Sequence, residues 1–202
     1  MYVIQKNYGE VLQNYTSLKS YIPFDQEPVV KSVARLDGLS QYWVLSRGIT
    51  LYVGDVVTFK ISYLTSISRV AEMMFGDNGV NRASRVYIDS VTVDDPAVVV
   101  RDNKLETLID GVDTTQFSMD GGTHTIEFSV VKEFYVDSLC ANDNGAQYFL
   151  SGSIHEFEVE RGGIIVNNIP LTNKEQGANQ LATVGDVDAF MPNYTDDVWE
   201  SV

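Results

Sequence analysis

Apolar and polar residues alternate along much of this chain. Val57, Phe59, Ile61 and Tyr63 share one parity against Val56, Thr58, Lys60 and Ser62. His124, Ile126, Phe128 and Val130 do so against Thr123, Thr125, Glu127 and Ser129. From Ser151 to Arg161, His155, Phe157 and Val159 alternate with Glu156, Glu158 and Glu160. Successive strand side chains point to opposite faces, so each stretch predicts a strand with one apolar face and one wet face. Gly121-Gly122, Asn142-Asp143-Asn144-Gly145 and Gly162-Gly163 bound the last two with turn residues. Strands with a single apolar face need a second layer, which points to two packed sheets.

Weaker signals add partners. Leu36 to Ser46 reads as a turn and a short strand, Met73-Met74-Phe75 as a buried run, and Arg85 to Asp89 as a strand with Val86 and Ile88 inward. Val98-Val99-Val100, Thr107-Leu108-Ile109 and Phe134-Tyr135-Val136 are further short strands. About ten short strands spaced roughly 8–12 residues apart predict a sandwich or barrel. Three segments follow: an N-terminal arm over residues 1–30, a β-sandwich over 31–165 and an irregular C-terminal tail over 166–202. In the arm, Val11, Leu12, Tyr15 and Leu18 recur at helical spacing, which fits a short helix near 9–19. The arm either docks on the sandwich or anchors the protein to a neighbour. In the tail, Trp199 brings enough apolar area to expect it packed down.

The 202 residues carry a formal net charge of −14, with a sequence pI near 4.3. Such a surface repels phosphate backbones and anionic membranes, so nucleic-acid binding is not expected, and no apolar run approaches the roughly 20 residues of a membrane span, so neither is membrane insertion. The one cysteine, Cys140, gives no intrachain disulfide framework and fits assembly in a reducing cytoplasm. The first residues lack the basic-then-apolar pattern of a signal peptide. On that basis Asn14-Tyr15-Thr16 and Asn193-Tyr194-Thr195 read as chance matches to the glycosylation pattern.

Four stretches then fall into an order: Leu36 to Leu45, Thr50 to Phe59, Gly121-Gly122-Thr123-His124-Thr125-Ile126-Glu127-Phe128, and Gly152-Ser153-Ile154-His155-Glu156-Phe157-Glu158-Val159-Glu160. Their order and spacing resemble a laminin-G-like, or concanavalin-A-like, jelly-roll domain over roughly residues 31–165. The segment from Asn168-Ile169-Pro170-Leu171-Thr172-Asn173-Lys174 to Asp197-Val198-Trp199 resembles the closing segment of such domains in tailed-phage virion proteins. The resemblance implies an all-β, jelly-roll-like, two-sheet antiparallel sandwich in a virion structural or adhesion protein, of tail-fibre, head-fibre or decoration type. It implies other virion proteins or a host surface glycan as partners, a homotrimer as the assembly, and the virion, put together in the host cytoplasm, as the location. The N-terminal residues match no element of that family.

Candidate chemistry is sparse. Glu156, Glu158 and Glu160 form a carboxylate row, and retaining glycosidases need two carboxyls about 5–5.5 Å apart. The blander reading is a solvated strand face, so the expectation is a protein that is not an enzyme, with glycan hydrolysis by this row as the alternative. His124 and His155, both on apolar parities, either face one another as metal ligands or sit hydrogen-bonded at the core and rim. Asp77, Asn78 and Asp143 lie in oxygen-rich, glycine-ended loops that suit calcium, although such loops also turn without an ion. No other cofactor is expected. Tyr42, Trp43, Asn142, Asp143 and Asn144 are candidates for contact with a glycan or partner, although for Trp43, in a short strand, core packing is the favoured reading. Tyr8, Tyr15 and Tyr21 are candidates for anchoring the arm.

Overall fold

The computed structural model describes residues 31–63, 71–76, 85–89, 97–101, 105–118, 122–141 and 149–202. The arm with Tyr8, Tyr15, Tyr21 and its helix, and the loops holding Asp77, Asn78, Asn142, Asp143 and Asn144, lie outside the described residues.

In chain order the strands are β1 (Ser32–Asp37), β2 (Trp43–Leu51), β3 (Val56–Tyr63), β4 (Ala71–Gly76), β5 (Arg85–Asp89), β6 (Ala97–Arg101), β7 (Leu105–Ile109), β8 (Val112–Asp113), β9 (Gln116–Ser118), β10 (Thr123–Val130), β11 (Phe134–Leu139), β12 (Ser151–Arg161), β13 (Ile164–Pro170), β14 (Asn179–Gln180), β15 (Ala189–Phe190) and β16 (Trp199–Ser201). One sheet runs β16-β1-β12-β3-β10-β7-β8, with β13 also paired to β12. The other runs β14-β15-β2-β11-β4-β5-β6-β9. Every pairing between these strands is antiparallel. Within them, β1-β12-β3-β10 and β2-β11-β4-β5 form the two four-stranded layers of a jelly roll. Its mark is that β1 to β4 and β10 to β12 each cross to the other sheet in turn. The protein is an all-β jelly-roll sandwich, and β6 to β9 widen both sheets between β5 and β10.

The alternation dictates which faces meet. Phe59 stands between Ile126 of β10 and Phe157 of β12, and Val57 between Phe128 and Val159. All six are fully buried. Phe75, from β4 in the opposite sheet, meets Phe128 at 5.1 Å, Phe59 at 5.9 Å and Phe157 at 5.9 Å between ring centroids. These tilted and edge-on contacts join the two layers.

One expectation about parity fails. The pairing of β12 with β3 shifts register between Ile154 and Glu156, which leaves His155 as the extra residue of a β-bulge. Ile154 and Phe157 both point inward as a result, and His155 sits beside Glu156 on the outer face.

The C-terminal residues are more regular than their sequence. β1 pairs with β12 at Ser151–Ile154, and β13 takes up the same edge from Glu156 to Arg161, so β1 and β13 lie end to end. The boundary expected at residue 165 falls inside β13. Beyond it, β15 adds to β2 and β16 adds to β1. Buried amides hold the turns between them. Gln180, with no exposed surface, donates Nε2 to the carbonyls of Asn173 and Gly177 and accepts from the Asn173 amide. Asn167 bonds both backbone polar groups of Val187. Trp199 is buried as expected, with Nε1 donating to the Tyr194 hydroxyl at 3.0 Å.

Candidate functional site

Trp43 has no exposed surface and Tyr42 is 7% exposed. Trp43 opens β2 facing the core, and Tyr42 packs on Phe149 at 6.1 Å. Neither ring is open to stack on a sugar, so the core reading holds for Trp43 and extends to Tyr42. Among the described residues no group of three or more His, Cys, Asp or Glu side chains is placed to hold a metal ion. The histidines do not face each other. His155 accepts or donates through Nε2 to Ser62 Oγ at 2.8 Å on the outer face, and Ser62 reaches Thr123 at 2.9 Å. His124, on the inward parity of β10, bonds Asp110 through Nδ1 at 2.7 Å.

The glutamate row lies on the outer face of β12, where the alternation put it. Glu156 pairs with Lys60 across the strand boundary. Asn168 of β13 donates Nδ2 to Glu156 Oε1 and to Glu158 Oε2, each at 2.8 Å, and accepts from Thr183 Oγ1 at 2.7 Å. Burial pushes the Glu156 carboxyl up, but Lys60 and Asn168 together outweigh it and hold it below the usual value. Two of the three carboxylates are thereby fastened into a seam between β12 and β13.

A different site forms where the β1–β2 turn meets the C-terminal residues. Asp37 ends β1, and its Oδ1 accepts the backbone N–H groups of Leu39, Ser40 and Gln41 at 2.8, 2.9 and 3.1 Å, while Oδ2 accepts Ser40 Oγ at 3.0 Å. This is an Asx-type turn. Burial raises the Asp37 carboxyl, and the four hydrogen bonds together bring it below its ordinary value. The turn needs glycine at 38, where φ is +68° and an added Cβ would stand 2.7 Å from Ser151 Cβ. Gln41 accepts from the Asp37 amide at 3.0 Å and reaches Thr195 Oγ1 at 3.4 Å. Asn193 Nδ2 donates to the Ser40 carbonyl at 2.8 Å. Between these groups lies a cleft of about 420 Å³, walled by Arg35, Asp37, Gln41, Asn193, Thr195 and Asp197. The sequence signals were present: Asp37-Gly38-Leu39-Ser40 is an Asx-turn string, and Asn193 and Thr195 are the pair read as a chance glycosylation match.

The opposite end of the sandwich carries several exposed apolar residues among charged ones. Gly162 and Gly163, at φ +58° and +80°, make the two-residue turn between β12 and β13. Beside it Ile164 is 68% exposed, and Val53 in the β2–β3 turn is equally open. The Arg161 guanidinium lies 4.7 Å over the Tyr52 ring and joins the two turns. Val131 stands next to them, since the amide of Gly54 bonds the Val130 carbonyl.

No protein-family model, curated protein or solved structure matches the chain. The fold defines a jelly-roll β-sandwich, and the site is a polar cleft at the loop end of that sandwich.

Proposed function

We propose that the protein is a non-enzymatic virion structural and adhesion component that presents its sandwich, as a homotrimer, to host glycans or to neighbouring virion proteins. The observation that carries the reading is the cleft. Its polar groups are oriented by hydrogen bonds within the fold before any ligand arrives, on loops that rigid sheets position. The jelly roll is an architecture found in viral capsid and lectin domains, which supports the reading by analogy of fold. The likeness of residues 168–199 to the closing segment of tailed-phage virion proteins supports it from sequence.

A capsid decoration or head-fibre protein that binds only other virion proteins is the second reading. The exposed apolar turns around Val53, Val131 and Ile164 favour it, because such patches mark protein contacts. Binding of the purified protein to whole host cells supports adhesion, whereas attachment to purified capsids alone supports decoration. Glycan cleavage by the glutamate row would be revealed by release of reducing sugar that Glu158→Gln abolishes.

A further inference from the structure

We infer that the cleft between the β1–β2 turn and residues 193–197 is the seat of recognition for an uncharged saccharide, gripped through neighbouring hydroxyl groups. The inference rests on the adhesion reading and gives it a location. A cleft of about 420 Å³ falls within the range of small-molecule sites, roughly 300–1,000 Å³.

Its chemistry selects the ligand. The Asp37 Oδ1 atom is filled by three N–H groups, but Oδ2 receives only Ser40 Oγ and retains acceptor capacity. Asn193 spends one N–H on the Ser40 carbonyl and keeps the other, together with its Oδ1. Thr195 accepts from Gln41, which leaves its own hydroxyl proton to donate. Arg35 gives Nη1 to Glu200 and retains further N–H groups. Both donor and acceptor capacity therefore remain among the residues that line the cleft. A sugar hydroxyl both donates and accepts, so adjacent hydroxyls match such a lining where a purely anionic or cationic ligand does not. Charge sharpens the choice: Asp37 and Asp197 outnumber Arg35 here, and Arg35 already pairs with Glu200. In a chain of net charge −14 this disfavours phosphates and acidic sugars. No aromatic ring is among the walls of the cleft. The grip is by hydrogen bonds, so a single copy binds weakly and several copies on one particle gain by multivalency.

The test titrates the full-length protein, isotopically labelled, with glucose, galactose, mannose and N-acetylglucosamine, with sialic acid as the charged comparison. Amide shifts are followed by NMR. Saturable shifts of Ser40, Gln41 and residues 193–197 with a neutral sugar are expected. Asp197→Asn, which removes one of the two carboxylate charges lining the cleft, weakens that binding about tenfold without moving the melting temperature. Asn193→Ala weakens it as well and, by removing the bond to the Ser40 carbonyl, also lowers the melting temperature, whereas Glu158→Gln leaves the binding unchanged. Saturable binding that maps elsewhere and survives both cleft variants overturns the assignment while leaving adhesion standing. Preference for sialic acid, or no shift with any neutral sugar, also overturns it. Failure of the whole protein to bind host cells is the separate result that removes the adhesion reading itself.

Discussion

Arg161 grips Asp55 with two parallel hydrogen bonds, Nε to Oδ1 at 2.9 Å and Nη2 to Oδ2 at 2.7 Å. The Asp55 side chain is nearly sealed from solvent, and the Arg161 side chain is 43% exposed. Asp55 also accepts from the Tyr52 amide at 2.9 Å, and Arg161 reaches the Thr50 carbonyl at 3.2 Å. One side chain from the end of β12 thus closes the β2–β3 turn. Arg161→Ala leaves a buried carboxylate with its backbone donor alone. Discounted for the partly exposed Arg161 side chain, the cost is about 1–2 kcal/mol by urea unfolding. Arg161→Lys restores only a fraction of this, because an ammonium cannot make the paired bonds.

Burial works against ionised Asp37, Asp55 and Asp110, and in each case hydrogen bonds outweigh it and hold the folded carboxyl below the ordinary 3.8. A depressed acid contributes stability that is complete above its unfolded value and is lost as pH falls through the folded one. The melting temperature is therefore expected to hold as pH falls toward about 4 on this account and to drop below it. Asp55→Asn lowers the neutral-pH value and shallows the acid limb.

His155 acts at higher pH. Burial, with the nearby Lys60 charge adding to it, lowers its folded pKa below 6.5. As pH falls below 6.5 the unfolded chain takes up the proton first, so stability declines until the folded value is reached and rises again with pH. His155→Asn removes that slope, checked by denaturation at several pH values between 5 and 7.

Asn168 is the next lever. It is 8% exposed and shares its amide between two carboxylates. Asn168→Asp replaces a shared donor with a third negative charge and is expected to cost about 2–3 kcal/mol, whereas Glu158→Gln changes stability by less than about 1 kcal/mol.

Glycines separate by what surrounds them. At Gly185, with φ +82°, a Cβ would lie 2.5 Å from the Val166 carbonyl oxygen, which is backbone and cannot step aside. Gly185→Ala is expected to cost more than about 2 kcal/mol and to loosen protection of residues 183–187 in hydrogen exchange. At Gly111, also at positive φ but with open space around it, alanine costs only the conformational term of about 1 kcal/mol. Thermal unfolding of the two variants side by side checks the contrast.

Much of the sandwich was legible because burial itself wrote it into the chain. Phe59, Phe128 and Phe157 announced their strands through alternation, and the double glycine announced the β12–β13 turn. The bulge at His155 was not legible, since one inserted residue leaves the alternation on either side intact while reversing its phase. The regularity of β13 to β16 was hidden for another reason. Those short strands are placed by Asn167, Asn168 and Gln180 bonding to backbone and side chains, a contribution with no period. The cleft was missed because its walls come from residues about 150 positions apart that only the fold brings together, as the Asn193–Ser40 bond spans 153.

β16 runs antiparallel to β1, and the Val202 amide bonds the Lys31 carbonyl. Tension applied across residues 31 and 202 would therefore enter this pair at a single end. Its bonds would break in succession, like a zip, and would not share the load. Under such a load the protein would yield first at Trp199–Ser201, letting that strand peel while the paired sheets behind it stay closed.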